Sequence, residues 1–339
     1  MTNNDKIERN LNGSEAIAEA IFQEMQQDGS TILIGEDVGK CGGVFGASRN
    51  CFSEFGEERV RDMPISEMTF TGMGVGMAMS GLRPIIEIMF ADFLGVCLEQ
   101  IYNAIGKIHY MSGGTVKMPI VVKTAAGNLG SAAQHSQCLW GTLAHLPGLK
   151  IVVPSSLYDH KGLMTSAIRS NDPVIFFEHK ELLLKRARSF LYSPRVPQNI
   201  YTVPIGKAAK PRIGSDITLV TLSYSVELAL ESANEVAKEG IDVEIIDLRS
   251  LVPLDIETVL KSVRKTQRLL VVDEDYLSFG VSGEIIARVI ENIDPTSLKQ
   301  IKRHAVPDVP IPAALSLEQV VVPNYESIKN MLLMMAKGP

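Results

Sequence analysis

The stretch RPIIEIMF, residues 83–90, decides the fold that the sequence predicts. Apart from Arg83 and Glu87 its side chains are apolar, and three of them are isoleucines. Short runs that are apolar on both faces are typical of strands in a buried parallel sheet. Four more runs of this kind lie in the first half of the chain: TILIGEDV (31–38), PIVVKTAAG (119–127), LKIVVPSS (149–156) and PVIFFEHK (173–180).

Segments with a helical spacing of apolar residues separate these predicted strands. Three of them are SEAIAEAIFQEMQQ (14–27), VCLEQIYNAIGKIHY (96–110) and YDHKGLMTSAIRS (158–170). A further helix is predicted over residues 66–81, with Ser66 as its N-cap. The alternation of strands and helices predicts a doubly wound α/β domain over residues 1–185.

The second half of the chain repeats this alternation after an interruption. Residues 186–214 carry four prolines and lack periodicity, which predicts an ordered but irregular linker. In residues 215–339 the predicted strands are DITLVTLS (216–223), DVEIIDLRSL (242–251) and RLLVVDED (268–275), and the predicted helices cover residues 226–240, 255–264 and 282–293. The predicted fold class is therefore α/β, with two doubly wound domains.

The composition excludes several classes of partner. The 339 residues include 33 lysines and arginines and 39 aspartates and glutamates, which gives a formal net charge of −6 without a basic block. This balance argues against nucleic acid or an anionic membrane as the main partner. The first residues lack the apolar core of a signal peptide, and no apolar run is long enough to span a membrane. We therefore expect a cytoplasmic protein that binds small molecules or other proteins.

Polar residues that directly follow the predicted strands are the first candidates for a site, because open α/β sheets bind ligands outside the carboxyl ends of their strands. Glu36 ends the first strand, Glu67 lies in PISEMTF (64–70), and His135 lies in the loop after residues 119–127. Glu178, His179 and Lys180 end the fifth strand. Each also has a structural interpretation. The helix dipole alone favours a carboxylate in a first turn, and loop histidines and charged strand ends are often only solvated. Spacing does not decide between the two.

Eight blocks of sequence together resemble the β subunit of the thiamine-diphosphate-dependent first component of 2-oxo acid dehydrogenase complexes. They are LIGEDV (33–38), DMPISEM (62–68), GLRPIIEIMFADF (81–93), QIYNAIGKIHYMSGG (100–114), AAQHSQ (132–137), HLPGLKIVVPSS (145–156), AIRSNDPVIFFEHK (167–180) and VDEDYLSFGVSGEI (272–285). The resemblance implies a transketolase-like pyrimidine-binding domain over 1–185 and a transketolase C-terminal-like domain over 215–339. Acetoin, pyruvate and bacterial branched-chain types are not separated.

The resemblance also implies roles for individual residues. Glu67 would hydrogen-bond a pyrimidine nitrogen of thiamine diphosphate and favour the imino tautomer, which removes the proton from the thiazolium carbon. Phe93 would stack on the pyrimidine, and Glu36 would take part in a proton relay between active sites. His135 would position the intermediate or the incoming lipoyl group.

Two further residues complete the expected cofactor contacts. Ile65, together with Met68, is expected to keep the surroundings of Glu67 dry, which would strengthen the hydrogen bond of that carboxyl group. Gln100 matches the family less closely. The family often holds a structural potassium ion on backbone carbonyls, and the residues that correspond here are Ile120, Ala167, Ile168, Ser170 and Asp172.

A missing motif predicts a partner chain. Thiamine enzymes hold a divalent metal and the diphosphate with a G-D-G motif and a later asparagine, and the nearest string here, QDGS (27–30), lacks the first glycine. An α subunit is therefore expected to bind Mg²⁺ and the diphosphate in a heterotetramer of two α and two β subunits (α₂β₂). Helix 66–81 is expected at a subunit interface, and the second domain is expected to build the β–β contact and to dock a lipoyl acyltransferase core.

The leading hypothesis is the β subunit of a 2-oxo acid or acetoin dehydrogenase, an oxidoreductase subunit that is catalytic only with its α subunit. The reaction would cleave the substrate on thiamine diphosphate and then reductively acylate a lipoyl partner. The alternatives are a subunit of a split transketolase-type ketol transferase and a non-catalytic relative that only binds partners. Glu36, Glu67, Phe93 and His135 argue against the non-catalytic alternative.

Overall fold

Two β-sheets organise residues 9–337, the part of the chain that this computed structural model describes. The elements of the first half are α1 (Gly13–Gln27), β1 (Thr31–Gly35), α2 (Cys51–Arg59), β2 (Val60–Asp62), α3 (Glu67–Met79), β3 (Arg83–Phe90), α4 (Gly106–Met111), β4 (Val121–Ala126), α5 (Trp140–Ala144), β5 (Lys150–Val152), α6 (Leu157–Arg169), β6 (Val174–His179) and α7 (Lys180–Leu184).

The second half adds six strands and five helices. They are β7 (Ala209–Arg212), β8 (Ile217–Thr221), α8 (Ser225–Val236), β9 (Val243–Asp247), β10 (Ser250–Val252), α9 (Ile256–Thr266), β11 (Arg268–Tyr276), α10 (Val281–Asn292), β12 (Gln300–Val306), α11 (Leu315–Val321) and α12 (Tyr325–Ala336). Within residues 9–337, none of the helices has both the length and the apolar character needed to cross a bilayer.

The first sheet has seven strands in the order β10-β5-β6-β4-β3-β1-β2, and every neighbouring pair is parallel except β10 with β5. Strands β1, β4 and β6 are buried at every position. Ile34 and Val122 pack in the same apolar cluster as α3, whereas Leu33 and Val121 pack with α1 and α6 on the opposite face. Burial on both faces explains the apolar runs, and the predicted fold class is confirmed.

Three charged residues interrupt these apolar strands and meet inside the sheet. The Lys123 ammonium on β4 lies 2.7 Å from a carboxylate oxygen of Glu87 on β3 and 3.3 Å from one of Glu178 on β6. All three side chains are buried. Burial raises the pKa of Glu178 to about 7, although the Lys123 ammonium opposes that rise. Glu178 therefore belongs to a buried ion triad, and not to a solvated strand end.

Strand β10 comes from the second half of the chain but completes the first sheet. The single strand predicted over 242–251 is wrong at its end: β9 stops at Asp247, and Ser250 pairs with Val152 of β5. The backbone turns at Arg249, whose φ is +58°. Its guanidinium lies 2.8 Å from the buried carboxylate of Asp159 on α6. This ion pair lies where the chain passes from β9 in the second sheet to β10 in the first sheet.

The second sheet has the order β12-β11-β8-β9-β7, and its two edge strands were not predicted. Strand β7 lies within the predicted irregular linker and runs antiparallel to β9. It contains Pro211, which an edge strand tolerates because one side of that strand makes no ladder hydrogen bonds. Strand β12 is half-exposed and carries several charged or polar residues, so it lacks the apolar run used for prediction.

Two helices differ from the sequence prediction. Ser66 does precede α3, but its hydroxyl donates to the carbonyl of Pro64 (3.1 Å) and does not cap the helix. The helix predicted over residues 96–110 is a π-helical turn at Gln100–Ile105 followed by the short helix α4. Predictions for residues 1–8 lie outside the described residues.

The acidic end of β11 joins the two halves. The indole N–H of Trp140 donates to Oδ1 of Asp273 (2.9 Å), and the backbone N–H of Gly141 donates to Asp275 (2.9 Å). Asp273 is buried, and burial together with the charge of Asp275 raises its pKa to about 7. The halves are therefore held together partly by acids that are costly to ionise.

Asp273→Asn is expected to make the thermal midpoint less sensitive to pH. The raised pKa means that the folded chain holds a proton on Asp273 more tightly than the unfolded chain, so its stability contribution is lost as pH rises from about 4 through about 7. Asparagine never ionises, and its carbonyl oxygen can still accept from Trp140 and from the Asp275 N–H, because both donate to the same oxygen. Between about pH 5 and about pH 8, the thermal midpoint of the wild type should fall further than that of the variant. Equal falls in the two proteins would contradict the raised pKa of Asp273.

Candidate active site

The carboxyl edge of the first sheet gathers the predicted site residues. Glu36 follows β1, Glu67 follows β2, and Phe93 follows β3. The loop between β4 and α5, residues 127–139, carries His135 and is called the histidine loop below. Because these strands are parallel and adjacent, residues far apart in sequence meet at one edge.

Glu67 is a buried acid without a protein partner. It begins α3, is only 8% exposed, and its carboxylate makes no hydrogen bond to another residue in 9–337. Glu36 lies close enough for the two charges to interact, and one of its carboxylate oxygens is buried without a partner. Burial, the charge of Glu67 and that of Asp37 raise the pKa of Glu36. Buried polar groups are nearly always hydrogen-bonded, so the buried Glu67 and the buried oxygen of the half-buried Glu36 indicate a site for a ligand with hydrogen-bond donors.

An aromatic cluster lies at the same edge. The His135 ring centroid is 4.8 Å from that of Phe90 and 5.5 Å from that of Phe93, and the rings meet edge to face. The rings of Phe90 and Phe93 are 5.6 Å apart, and Phe45 contacts Phe90 from the other side at 5.9 Å. The structure thus brings Phe93 and His135 together, and it offers an aromatic wall to a flat ligand.

Lys180, which the sequence places at the end of the fifth predicted strand, also lies at this edge. It is buried, donates a hydrogen bond to the backbone carbonyl of His135, and lies 5.5 Å from the centroid of the Phe90 ring. Burial lowers the pKa of Lys180.

A hydrogen-bonded chain beside the aromatic cluster was not predicted. The Gln137 amide donates to Asp92 (2.6 Å), and its carbonyl accepts from the hydroxyl of Tyr276 (3.1 Å). Tyr276 is in the second half of the chain, so no local pattern could predict this contact. The site is therefore built by both halves.

The two weaker cofactor predictions have different outcomes in the structure. Ile65 is 86% exposed and Met68 is 50% exposed, so neither covers Glu67 within this chain, in contrast to the expectation. Gln100 packs against α3, where a Cβ at Gly72 would be 3.2 Å from its amide oxygen. Gln100 makes no hydrogen bond to Glu67 in the described part of the chain.

The carbonyls predicted to hold potassium already accept hydrogen bonds. One guanidinium nitrogen of Arg83 donates to the carbonyls of both Ile168 and Ser170, at 3.0 Å each. The carbonyls of Ile120, Ala167 and Asp172 accept from Val174 N–H, Ser170 N–H and the Ser170 hydroxyl. A potassium ion on Ile168 and Ser170 would face the positive charge of Arg83, so this carbonyl set does not fit the ion as predicted.

A buried cluster of Cys138, His179 and Glu274 has potential ligand atoms within 4.8 Å of one another. His179 Nδ1 accepts from the Glu181 N–H (3.2 Å), so its Nε2 carries the proton and donates to Glu274 (2.7 Å). The second oxygen of Glu274 accepts from the N–H and the hydroxyl of Ser225. Burial raises the pKa of the Cys138 thiol well above its usual value. These bonds satisfy His179 and Glu274 without a metal, and the bond between them joins the two halves.

Comparison with known proteins shows which family the chain belongs to. Residues 9–185 match the transketolase pyrimidine-binding domain, and residues 206–328 match the transketolase C-terminal domain. The β subunit of acetoin:2,6-dichlorophenolindophenol oxidoreductase from Cupriavidus necator is 42% identical, over 94% of this chain and 96% of that protein. The chain belongs to the family of thiamine-dependent dehydrogenase β subunits.

Another dehydrogenase β subunit is similar in sequence, and a solved transketolase is similar in fold. The β subunit of the pyruvate dehydrogenase E1 component from Rickettsia conorii is 41% identical, over 93% of this chain and 94% of that protein. A solved split-gene transketolase, described as an inactive β4 tetramer, has a TM-score of 0.77 and 21% identity, and covers 97% of this chain and 99% of that one. The transketolase likeness shows the fold alone. The predicted family is confirmed, and it implies chemistry that depends on thiamine diphosphate.

Proposed function

We propose that this chain is the β subunit of a dehydrogenase that acts on acetoin or a 2-oxo acid and is catalytic only with an α subunit. The observation that carries the proposal is the buried acid Glu67 with the half-buried acid Glu36 near it, at the same carboxyl edge of the first sheet as Phe93. Such an edge suits the aminopyrimidine half of thiamine diphosphate, which offers ring nitrogens and a flat face. Family membership supports the same cofactor.

Each residue has a defined task in this proposal. Thiamine diphosphate supplies a carbanion that adds to a carbonyl group and stabilises negative charge after bond cleavage. Glu67 would share a proton with a pyrimidine nitrogen, because its carboxylate has no competing partner in the described chain. Glu36, whose pKa is raised, would exchange protons with Glu67. Phe93 would contact the pyrimidine ring, and His135 would orient the reacting group or the lipoyl arm.

The exposed surface around Glu67 supports an α subunit as the missing half of the site. Ile65 and Met68 are exposed at the beginning of α3, and Val96 and Tyr102 are exposed on the neighbouring segment. Exposed apolar side chains next to a half-built site are typical of a surface that another chain covers. We propose that the α subunit covers this face and supplies Mg²⁺ and the grip on the diphosphate, in an α₂β₂ heterotetramer.

The second half is proposed to dock the lipoyl acyltransferase core and to form the β–β contact. Leu317 and Val320 on α11 are exposed apolar residues, and they support docking there without identifying the partner. Potassium remains a prediction from resemblance that the Arg83 contacts do not favour.

Co-purification with an α subunit is the test of the proposed function. The complex should reduce an artificial electron acceptor with acetoin, pyruvate or a branched-chain 2-oxo acid, and the β chain alone should not. The ranking of the three rates identifies the substrate. Ketol transfer between sugar phosphates that is faster than dye reduction would contradict the proposal and favour the split-transketolase alternative. Acylation of a lipoyl domain by the same complex tests the acceptor.

A further inference from the structure

Glu318 is a buried acid from the second half of the chain that binds the histidine loop. It lies on α11, is 2% exposed, and follows the loop by 190 residues. The Asn128 side-chain amide donates to its carboxylate at 3.1 Å, and the Gly130 N–H donates to both oxygens at 3.3 and 3.1 Å. This single side chain therefore holds the loop at two positions, Asn128 and Gly130.

A second contact from α11 reaches the same point. Gly130 has φ of +63°, and a Cβ there would lie 2.8 Å from a methyl group of Leu315. Leu315 and Glu318 are three residues apart and therefore lie on one side of α11. The helix thus holds Gly130 with one apolar and one charged side chain.

Between Gly130 and His135 the histidine loop has few other supports from the described residues. The His135 N–H donates to the carbonyl of Ala132 (3.3 Å), and Lys180 donates to the carbonyl of His135. Ala133 and Gln134 are exposed. Glu318 at the beginning of the loop and Lys180 at His135 are therefore the charged groups that fix its course as far as His135. Asp92 holds Gln137 beyond that point.

We infer that Glu318 is a positioning residue, which holds the histidine loop from the second domain so that the His135 ring stays against Phe90 and Phe93. The inference rests on the proposed function of His135. Glu318 does not touch the reacting atoms. It acts through the loop, and it thereby makes the geometry of the site depend on the placement of α11.

Hydrogen exchange of the assembled α/β complex tests the inference without an activity assay. In Glu318→Ala, amides of residues 128–136 should exchange about tenfold faster or more, because the loop loses its charged hydrogen bonds. Glu318→Asp keeps the carboxylate on a shorter side chain, so its exchange rates should lie between those of the wild type and those of Glu318→Ala. Glu326→Ala, on the exposed surface of α12, is the matched control and should not change exchange in the loop. Exchange in Glu318→Ala at the wild-type rate would overturn the inference.

Kinetics of the same complex then separates positioning from general stability. Glu318→Ala should lower the turnover of the complex about tenfold and leave its thermal midpoint unchanged. In a chain that already carries His135→Ala, adding Glu318→Ala should cause little further loss of turnover. Fully additive losses would overturn the link between Glu318 and His135. If His135→Ala alone keeps full turnover, the proposed function of His135 fails, while loop exchange still decides whether Glu318 holds the loop.

Discussion

Glu67→Gln in the α/β complex is expected to slow deuterium exchange at the thiazolium carbon of bound thiamine diphosphate by about 10²- to 10⁴-fold, the usual range for loss of a general acid–base group. Glutamine has nearly the same shape as glutamate, so the complex should still assemble. It cannot give up or accept a proton as a carboxyl group does, so the pyrimidine nitrogen loses its proton partner. The exchange is read by NMR after rapid acid quench.

The control for this experiment is the same substitution at an exposed glutamate. Glu57 is exposed on α2, and Glu57→Gln should exchange at the wild-type rate. Wild-type exchange in Glu67→Gln would refute the role of Glu67 and with it the proposed function. Failure of Glu67→Gln to assemble with the α subunit would instead assign Glu67 to the interface.

Lys123→Met is expected to lower the free energy of unfolding by about 3–5 kcal/mol, the usual cost of breaking a buried ion pair from one side. The substitution removes the ammonium and leaves Glu87 and Glu178 facing each other inside the first sheet, where both are buried. Urea unfolding of the complex at fixed protein concentration measures the loss. Lys117→Met, at an exposed position shortly before β4, should change stability by less than about 0.5 kcal/mol.

The triad also allows a rescue experiment. Replacing all three members by apolar residues of similar size should restore most of the stability, because no unpaired charge then remains in the core. A triple variant that is as unstable as Lys123→Met would show that the loss arises from packing. The triad would then not be the electrostatic unit that the Lys123 distances indicate.

The sequence predicts what depends on local pattern, and the structure adds what depends on contacts between distant segments. Strand β3 has the predicted bounds, because its eight residues are bounded by a turn and have apolar side chains on both faces. Glu36, Glu67 and Phe93 could be placed at one edge because parallel strands share a direction. Strands β7 and β12 could not be predicted from apolar runs, because edge positions leave them half-exposed.

The parts of the site that escaped prediction come from the other half of the chain or from the core. Tyr276 and Glu318 reach the histidine loop from more than 130 residues away. The sequence places Lys180 at a strand end, but its hydrogen bond to the carbonyl of His135 could not be predicted. Ile65 was predicted to cover Glu67 because it is apolar and only two residues away in sequence, but closeness in sequence at a helix start does not determine which way a side chain points.

The placement of β10 has a consequence for attempts to produce the pyrimidine-binding half separately. A fragment that stops before residue 250 would lack the strand that pairs with β5, and β5 would then present unsatisfied backbone N–H and C=O groups to solvent. Such a bare edge invites pairing with another copy, so the fragment should self-associate or precipitate. The region that matches the pyrimidine-binding domain is therefore expected to fold properly only together with the region that matches the C-terminal domain.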